Sequence, residues 1–409
     1  MGQRLLVIGL VWPEPTSSAA GWRMLQLLKL FKQAGYSITF ASAASKSEYS
    51  FPLAQLEIEE VDIRLNDSSF DRFLEELKPE MVLFDRFMIE EQYSWRVHQT
   101  CPDAIRILDT EDLHFVRQAR QEAYKKQIPW KDELYYSETA KRELAAIYRS
   151  DISIIISNME YALLQKQFHV PEQVLSLLTF QVEADESLTN TMGFEDRSNF
   201  VFIGNFLHEP NWRTVLEIKR IWPKLKQKLP KAEVHIYGAY PSQKVWELHK
   251  PKEGFIIKGR AEHAINTLAN YRVLLAPIPF GAGLKGKFVD ALHAQTPSVT
   301  TVIGAEGMRN EHGDWQGFVV QDEEELIDKT TELYLNPDLW HEKVAVGISM
   351  LNELKKEDWG RDFIQQIESV KADVVAHRNN NFTGQILWSN QFLATKYMSQ
   401  WIEEKNKIN

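Results

Sequence analysis

The sequence predicts an α/β protein built from two doubly wound domains that face one another across a central cleft. Three observations carry that reading. The chain opens as strand, loop, helix and strand: apolar Leu5 to Val11, a Pro-, Ser-, Ala- and Gly-rich loop from Pro13 to Gly21, an amphipathic helix from Trp22 to Gln33, and an alternating strand from Tyr36 to Ala41. The same strand-turn-helix logic restarts at Phe200 and runs through the second half without sequence repetition. Between the halves, Glu183 to Ser198 is polar and reads as a linker. The expected organisation is a first domain over 1–182, a linker over 183–198, a second domain over 199–370, and an amphipathic helical tail over 371–409 that packs back on the body.

The 409 residues suffice for two domains of ordinary size. No stretch approaches the roughly 20 apolar residues that a membrane span needs. The first residues read as a strand rather than a cleaved leader, and a cytoplasmic protein is expected, at most peripheral at the inner membrane face. A single cysteine, Cys101, excludes an intramolecular disulfide and a thiolate metal cluster. The net charge of -10 argues against broad, non-specific binding to nucleic acid or anionic lipid.

In the first half, Leu56 to Ile63 reads as a strand, Ser69 to Leu77 as a helix, and Met81 to Phe84 as a strand ending at Asp85 and Arg86. In an open α/β sheet, residues just past a strand's C-terminal end line the ligand crevice. Asp85 and Arg86 are therefore cleft candidates, although a structural ion pair explains them equally well. Ala104 to Leu108 is the next strand and ends in Asp109-Thr110-Glu111-Asp112-Leu113-His114. Helix capping by Asp109 or Thr110 explains one carboxylate of this cluster, not all of them. No second group of ligands accompanies it, so no metal is expected. The small-residue loop Ser17 to Gly21 lets a ligand approach a helix N-terminus. Arg23 follows in the first turn, where a cation is poorly placed for the helix dipole and better placed for an anion.

Phe115 to Arg149 is long, charged and mostly helical. Its Tyr124-Lys125-Lys126 and Pro129-Trp130-Lys131 form a basic, aromatic patch suited to an acceptor or to weak contact with a membrane surface. Asp151 to Ser157 is a buried strand, and Val174 to Phe180 closes the domain.

In the second half, Phe200 to Ile203 is a strand that turns at Gly204-Asn205. Pro210-Asn211-Trp212-Arg213 precedes a helix from Thr214 to about Lys228. Val234 to Tyr237 and Phe255 to Lys258 are strands, the latter ending at Gly259-Arg260. The chain then reaches its most informative stretch, PIPFGAGLKGKFVDALHAQTPSVTTVIGAEGM, from Pro277 to Met308. The buried run Val273 to Ala276 leads into a turn with Gly281, Gly283 and Gly286, and with Lys285 and Lys287 among them. A helix follows, then the strand Ser298 to Val302 and a second tight turn at Gly304-Ala305-Glu306-Gly307. A strand, a glycine turn and a helix N-terminus form an anion site, and two ammonium groups reinforce it. The spacing matches neither a Walker A loop nor a GxGxxG fingerprint. Three helices, over Glu323 to Asn336, Leu339 to Leu354 and Trp359 to Ile367, precede the amphipathic stretch Ile386 to Ile402.

With these residues in place, the chain resembles the GT-B glycosyltransferases, family 4 in particular. The resemblance rests on the stretch Pro277 to Met308, on FIGNFLHEPNW at Phe202 to Trp212, and on ILDTEDLHF at Ile107 to Phe115; PEPTSSAAGWRM at Pro13 to Met24 looks like the family's phosphate and acceptor loop, with Gly21 and Arg23 in it. It implies two Rossmann-like domains, the first for acceptor and the second for a nucleotide-sugar donor. It places Gly281, Gly283, Lys285, Lys287 and Asp290 near the donor; Gly204, Asn205, Arg260 and Glu306 are further donor candidates, and Asp85, Arg86, Asp109, Asp112 and Asn211 are candidates along the cleft. Asp290 stands where the family usually has glutamate, and Ala282 where its first glutamate falls. The family's histidine at a first-domain strand end is replaced by Glu111-Asp112, with His114 close by, so either Glu111 or His114 supplies the polar catalytic group beside Lys285.

The implied reaction moves a sugar from a nucleoside diphosphate to a hydroxyl of a glycan, a lipid-linked or another acceptor, with retention and without a metal or other cofactor, in cell-surface glycan or glycoconjugate synthesis. No nucleic acid partner is expected. Lysines and helix N-termini would stabilise the leaving diphosphate, and the closed cleft would exclude water. Two further classes stay open: a non-catalytic nucleotide-sugar or glycan binder on the same fold, which would release no nucleoside diphosphate, and another two-domain sugar-nucleotide enzyme such as an epimerase.

Overall fold

The computed structural model describes residues 3–182, 192–309, 312–355 and 358–408. Most of the expected linker, residues 183–191, lies outside that set. The first sheet contains β1 (Gln3–Gly9), β2 (Tyr36–Ser42), β3 (Glu59–Asp62), β4 (Met81–Asp85), β5 (Ile105–Asp109), β6 (Ile152–Ile155) and β7 (Leu175–Leu177), in the order β3-β2-β1-β4-β5-β6-β7. The second contains β8 (Ser198–Ile203), β9 (Val234–Tyr237), β10 (Phe255–Gly259), β11 (Tyr271–Ala276), β12 (Ser298–Thr301) and β13 (Gly317–Val320), in the order β10-β9-β8-β11-β12-β13. Adjacent strands in both sheets run parallel, with Leu5 opposite both Ile38 and Met81. This is the GT-B architecture, two Rossmann-like domains. The continuous apolar strands are what a parallel sheet covered on both faces requires, and Leu5 to Ile8 are fully buried.

Local chemistry moves several expected boundaries. The first helix begins at Ala19 rather than Trp22, because the Ser18 hydroxyl accepts from the Gly21 N–H at 3.0 Å and caps it. The helix expected from Thr214 starts at Glu209, with Pro210 in its first turn, where its missing N–H costs nothing. The strand expected over Leu56 to Ile63 shortens to Glu59–Asp62, since Leu53–Leu56 is a single 3-10 turn ended by Glu57 in the left-handed region at φ 54°. The stretch Phe115 to Arg149 divides into His114–Lys126 and Glu138–Arg149, broken after Gln127 at φ 52°.

The chain also returns to its first domain earlier than the sequence boundary at residue 370 suggested. On the helix Trp359–Ala372, Phe363, Ile367 and Val370 are buried in one cluster with Leu28, Phe31 and Tyr36. Phe363 meets Phe31 edge-on at 5.8 Å, and Gln366 donates to the Leu175 carbonyl at 3.1 Å. Beyond it, Arg378 donates to Asp151 and to the Pro102 and Ala104 carbonyls. Trp388 donates to the Arg149 carbonyl at 2.9 Å, with the Arg106 guanidinium 4.1 Å over its ring. The C-terminal helices thus brace the first sheet.

Candidate active site

The C-terminal ends of both sheets point into one cleft of about 810 Å³, lined from both domains. Strand order reverses between β1 and β4 in one sheet and between β8 and β11 in the other, which is where an open α/β sheet forms its crevice.

On the second-domain side, Lys285 precedes the helix Gly286–His293, whose N-terminus carries no side-chain cap. The turn is tight against the first domain: a Cβ on Gly286 would lie 2.8 Å from the Ala19 Cβ. The Lys285 Nζ donates to the Gly283 carbonyl at 2.9 Å, and the Lys287 Nζ to the Asn211 Oδ1 at 2.9 Å. Both ammonium groups thus rest on neutral oxygens. Burial pushes each down to about 8; the Arg120 charge adds to this at Lys285, and Lys285 itself adds to it at Lys287. Asp290 and Gly281 line the same wall. Gly204 is required by packing, since a Cβ there would fall 2.6 Å from the Asn211 Cγ. Asn211 donates in turn to the Asn205 carbonyl at 2.9 Å. Arg260 lines the cleft, donates to the Thr16 hydroxyl at 3.0 Å and covers the Tyr49 ring at 4.5 Å.

Two residues expected at the donor face elsewhere. Gly283, at φ +58°, turns its N–H to the Glu160 Oε1 at 2.8 Å, and a Cβ would lie 2.8 Å from that of Asp112. It is seated on the first domain rather than lining the cleft. Glu306 takes two hydrogen bonds from Arg120, at 2.6 and 2.8 Å, and Arg120 also donates to the Gly281 carbonyl at 2.8 Å. That carboxylate is committed to a guanidinium of the other domain.

On the first-domain side, Asp85, Arg86, Glu111, Asp112 and His114 all line the cleft. Arg86 and Glu111 have positive φ, 74° and 61°, which is unusual for non-glycine residues. Asp85 accepts from the Leu10 N–H at 2.9 Å and lies 3.5 Å from Arg86. Burial pushes the Glu111 carboxyl up to about 8, reinforced by the Asp109 charge and opposed by Arg86. Asp112 goes the other way: burial would raise its carboxyl, but its ion pair with Arg117 holds it well below the usual range. The His114 Nδ1 lies 3.2 Å from the Asp112 carbonyl oxygen and 3.4 Å from the Glu143 Oε1, so the acceptors around the ring gather at Nδ1.

The helix cap proposed for Asp109 or Thr110 is supplied instead by Glu143, which accepts from the His114 and Phe115 N–H groups at 3.0 and 2.9 Å. Asp109 is fully buried beneath the cleft floor, 3.4 Å from Arg23, itself 1% exposed. Arg23 therefore answers an internal carboxylate instead of a ligand phosphate. Gly21 does line the cleft; any Cβ there would fall 2.5 Å from the Glu14 backbone.

Several participants carry no sequence signal. Arg117, Arg120 and Glu160 look like ordinary charged helix residues until the fold brings Arg117 to the cleft wall and Arg120 and Glu160 into contact with the second domain. Tyr124, read as part of a membrane or acceptor patch, donates to Glu217 of the second domain at 2.7 Å and packs on Phe280 at 5.3 Å. The Tyr240 hydroxyl donates to the Glu14 carboxylate, 2.8 Å from both oxygens, so the first loop also bridges the domains.

Residues 197–336 match the family described as glycosyl transferases group 1. By sequence search, no curated protein matches the chain. Among solved structures, it is similar to TarM of S. aureus, solved with fondaparinux, alpha-GlcNAc-glycerol and UDP, at TM-score 0.67 and 9% identity, over 91% of this chain and 100% of that one. A glycosyltransferase from Rickettsia africae aligns at TM-score 0.65 and 13% identity, over 91% and 99%. The pneumococcal O-GlcNAc transferase GtfA, solved with UDP and GlcNAc, aligns at 0.64 and 12%, over 91% and 100%. Fold and family match agree on the class: the chain has the GT-B fold, and its residues 197–336 match a glycosyltransferase family. The matched residues lie in the second domain and include Lys285 and Lys287.

Proposed function

We propose that this protein transfers a sugar from a nucleoside diphosphate sugar to an acceptor hydroxyl, with retention and without a metal ion. The carrying observation is the pair Lys285 and Lys287 at an uncapped helix N-terminus in the closed cleft, each bonded only to a neutral oxygen in the contacts above. A diphosphate entering there meets two desolvated cations and a helix dipole, and it keeps both lysines charged. UDP is the first nucleotide to test, because the TarM and GtfA structures were solved with it.

In the transfer, the bond from the anomeric carbon to the diphosphate oxygen breaks while the acceptor hydroxyl bonds that carbon on the same face and passes its proton to the departing diphosphate oxygen. Charge builds on the leaving diphosphate, where Lys285, Lys287 and the helix N-terminus stabilise it. Glu111, held protonated near neutrality, serves as a hydrogen-bond donor to a hydroxyl. His114, with its Nδ1 side taken up by the Asp112 and Glu143 oxygens, leaves Nε2 for substrate and is the polar catalytic group of this reading. The reaction belongs to the cytoplasmic side, in cell-surface glycan or glycoconjugate synthesis; among the described residues, no helix is long and apolar enough to cross a membrane.

The test is release of nucleoside diphosphate by wild type and Lys285→Ala with a panel of donors and acceptors. Turnover falls about a hundredfold or more in the variant, the scale of losing one charge-stabilising group. Unchanged turnover removes Lys285 from the mechanism. Chelation by EDTA leaves turnover unchanged, and a metal-dependent rate contradicts the metal-free part of the proposal.

A further inference from the structure

A buried carboxylate joins the two halves of the site. Glu160 lies in the first turn of the helix Asn158–Lys166 and is 4% exposed. Its Oε1 accepts from the Leu113 N–H at 3.1 Å and from the Gly283 N–H at 2.8 Å. Leu113 belongs to the loop carrying Glu111, Asp112 and His114; Gly283 belongs to the turn carrying Lys285. A single oxygen thus ties a first-domain loop to a second-domain turn. The other oxygen, Oε2, is buried and has no hydrogen-bond partner among the described residues. An unsatisfied buried polar atom is costly, so this oxygen marks a strained point in the bridge. The contact is also steric: Gly283 lies so close to Asp112 that a Cβ would approach to 2.8 Å.

We propose that Glu160 is a positioning residue, holding the diphosphate turn of the second domain in register with the polar loop of the first, so that transfer proceeds only when its carboxyl bridges both. Its effect on turnover rests on the donor-site reading above; the bridge itself does not. Either protonation state keeps Oε1 as the shared acceptor. Glutamine reproduces the protonated form, with its carbonyl at Oε1 and its amide at the stranded position.

The bridge is tested by amide hydrogen exchange on the full chain without ligand, comparing wild type with Glu160→Ala and Glu160→Gln. In Glu160→Ala, peptides spanning 111–114 and 281–285 should exchange about tenfold faster, the worth of one buried hydrogen bond, while β1 and β8 stay unchanged. In Glu160→Gln, exchange should stay within about threefold of wild type. Equal exchange in wild type and Glu160→Ala at both segments overturns the proposal. Should the alanine variant fail to fold, Glu160→Asp, one methylene shorter, is expected to accelerate exchange at Gly283, and wild-type exchange there overturns the bridge. In a turnover assay, Glu160→Ala lowers kcat about tenfold or more with donor KM little changed, and glutamine restores it. A raised KM at constant kcat overturns the positioning role. Faster exchange with no sugar transfer in any form leaves the bridge standing and refutes the transferase reading; unchanged exchange with normal turnover refutes the bridge alone.

Discussion

At Lys285 and Lys287 the chemistry of one stretch is decided by its neighbours. An ammonium group in a cleft loses hydration, and a carbonyl or amide oxygen returns only part of it. Both lysines are thus poised for an anion. The carboxyl of Glu160 makes an opposite statement: burial, reinforced by the Asp112 charge, raises it from 4.5 to about 8. Between those values the folded chain binds more protons than the unfolded one, so stability is complete at low pH and declines as pH rises towards 8, by at most about 1.4 kcal/mol per pH unit for one site. Glu160→Gln should flatten that decline in thermal unfolding between pH 5 and 8; an unchanged slope contradicts a raised carboxyl. At His114, replacement by asparagine should lower kcat about a hundredfold with donor affinity retained, whereas Glu111→Gln, which keeps a donor, should cost much less. Equal losses would move the catalytic role to Glu111.

The sequence exposed elements better than their facing. The run Val273 to Ala276 and the glycine turn after it were legible because apolar strands, glycines and lysines each leave a local mark. The direction of Gly283 left none: its N–H looks available for phosphate in one dimension and meets Glu160 in three. Arg23 misled for a related reason, since its partner Asp109 is distant in sequence and covered only once β5 lies in the sheet. Glu143, Arg120 and Glu160 act across helices, and a single chain without that packing offers no pattern to read. The tightest element-level test is Gly204→Ala. Its Cβ would displace Asn211, which holds Lys287 at 2.9 Å. Donor KM should rise about tenfold or more with the fold intact, while an unchanged KM would detach Asn211 from the donor site.

Across the whole molecule, the domains are held together at the same places where they would meet substrate. Arg120 to Glu306, Glu160 to Gly283, Tyr240 to Glu14 and Arg260 to Thr16 all cross the cleft. The returning helices from Trp359 onward brace the first domain from behind. A double-mutant cycle on Arg120→Ala and Glu306→Ala should give a coupling of about 1–3 kcal/mol in transition-state stabilisation; additive effects would show that the pair does not act as a unit. The central claim, transfer from a nucleoside diphosphate sugar, is tested most directly by NMR of a reaction containing UDP-sugar and acceptor. The account requires free UDP and a glycoside with the donor's anomeric configuration to appear together, both strongly reduced in Lys285→Ala. Across a panel of nucleotide-sugars and acceptors, binding with no nucleoside diphosphate released, or conversion of the donor sugar without any glycoside, would contradict it.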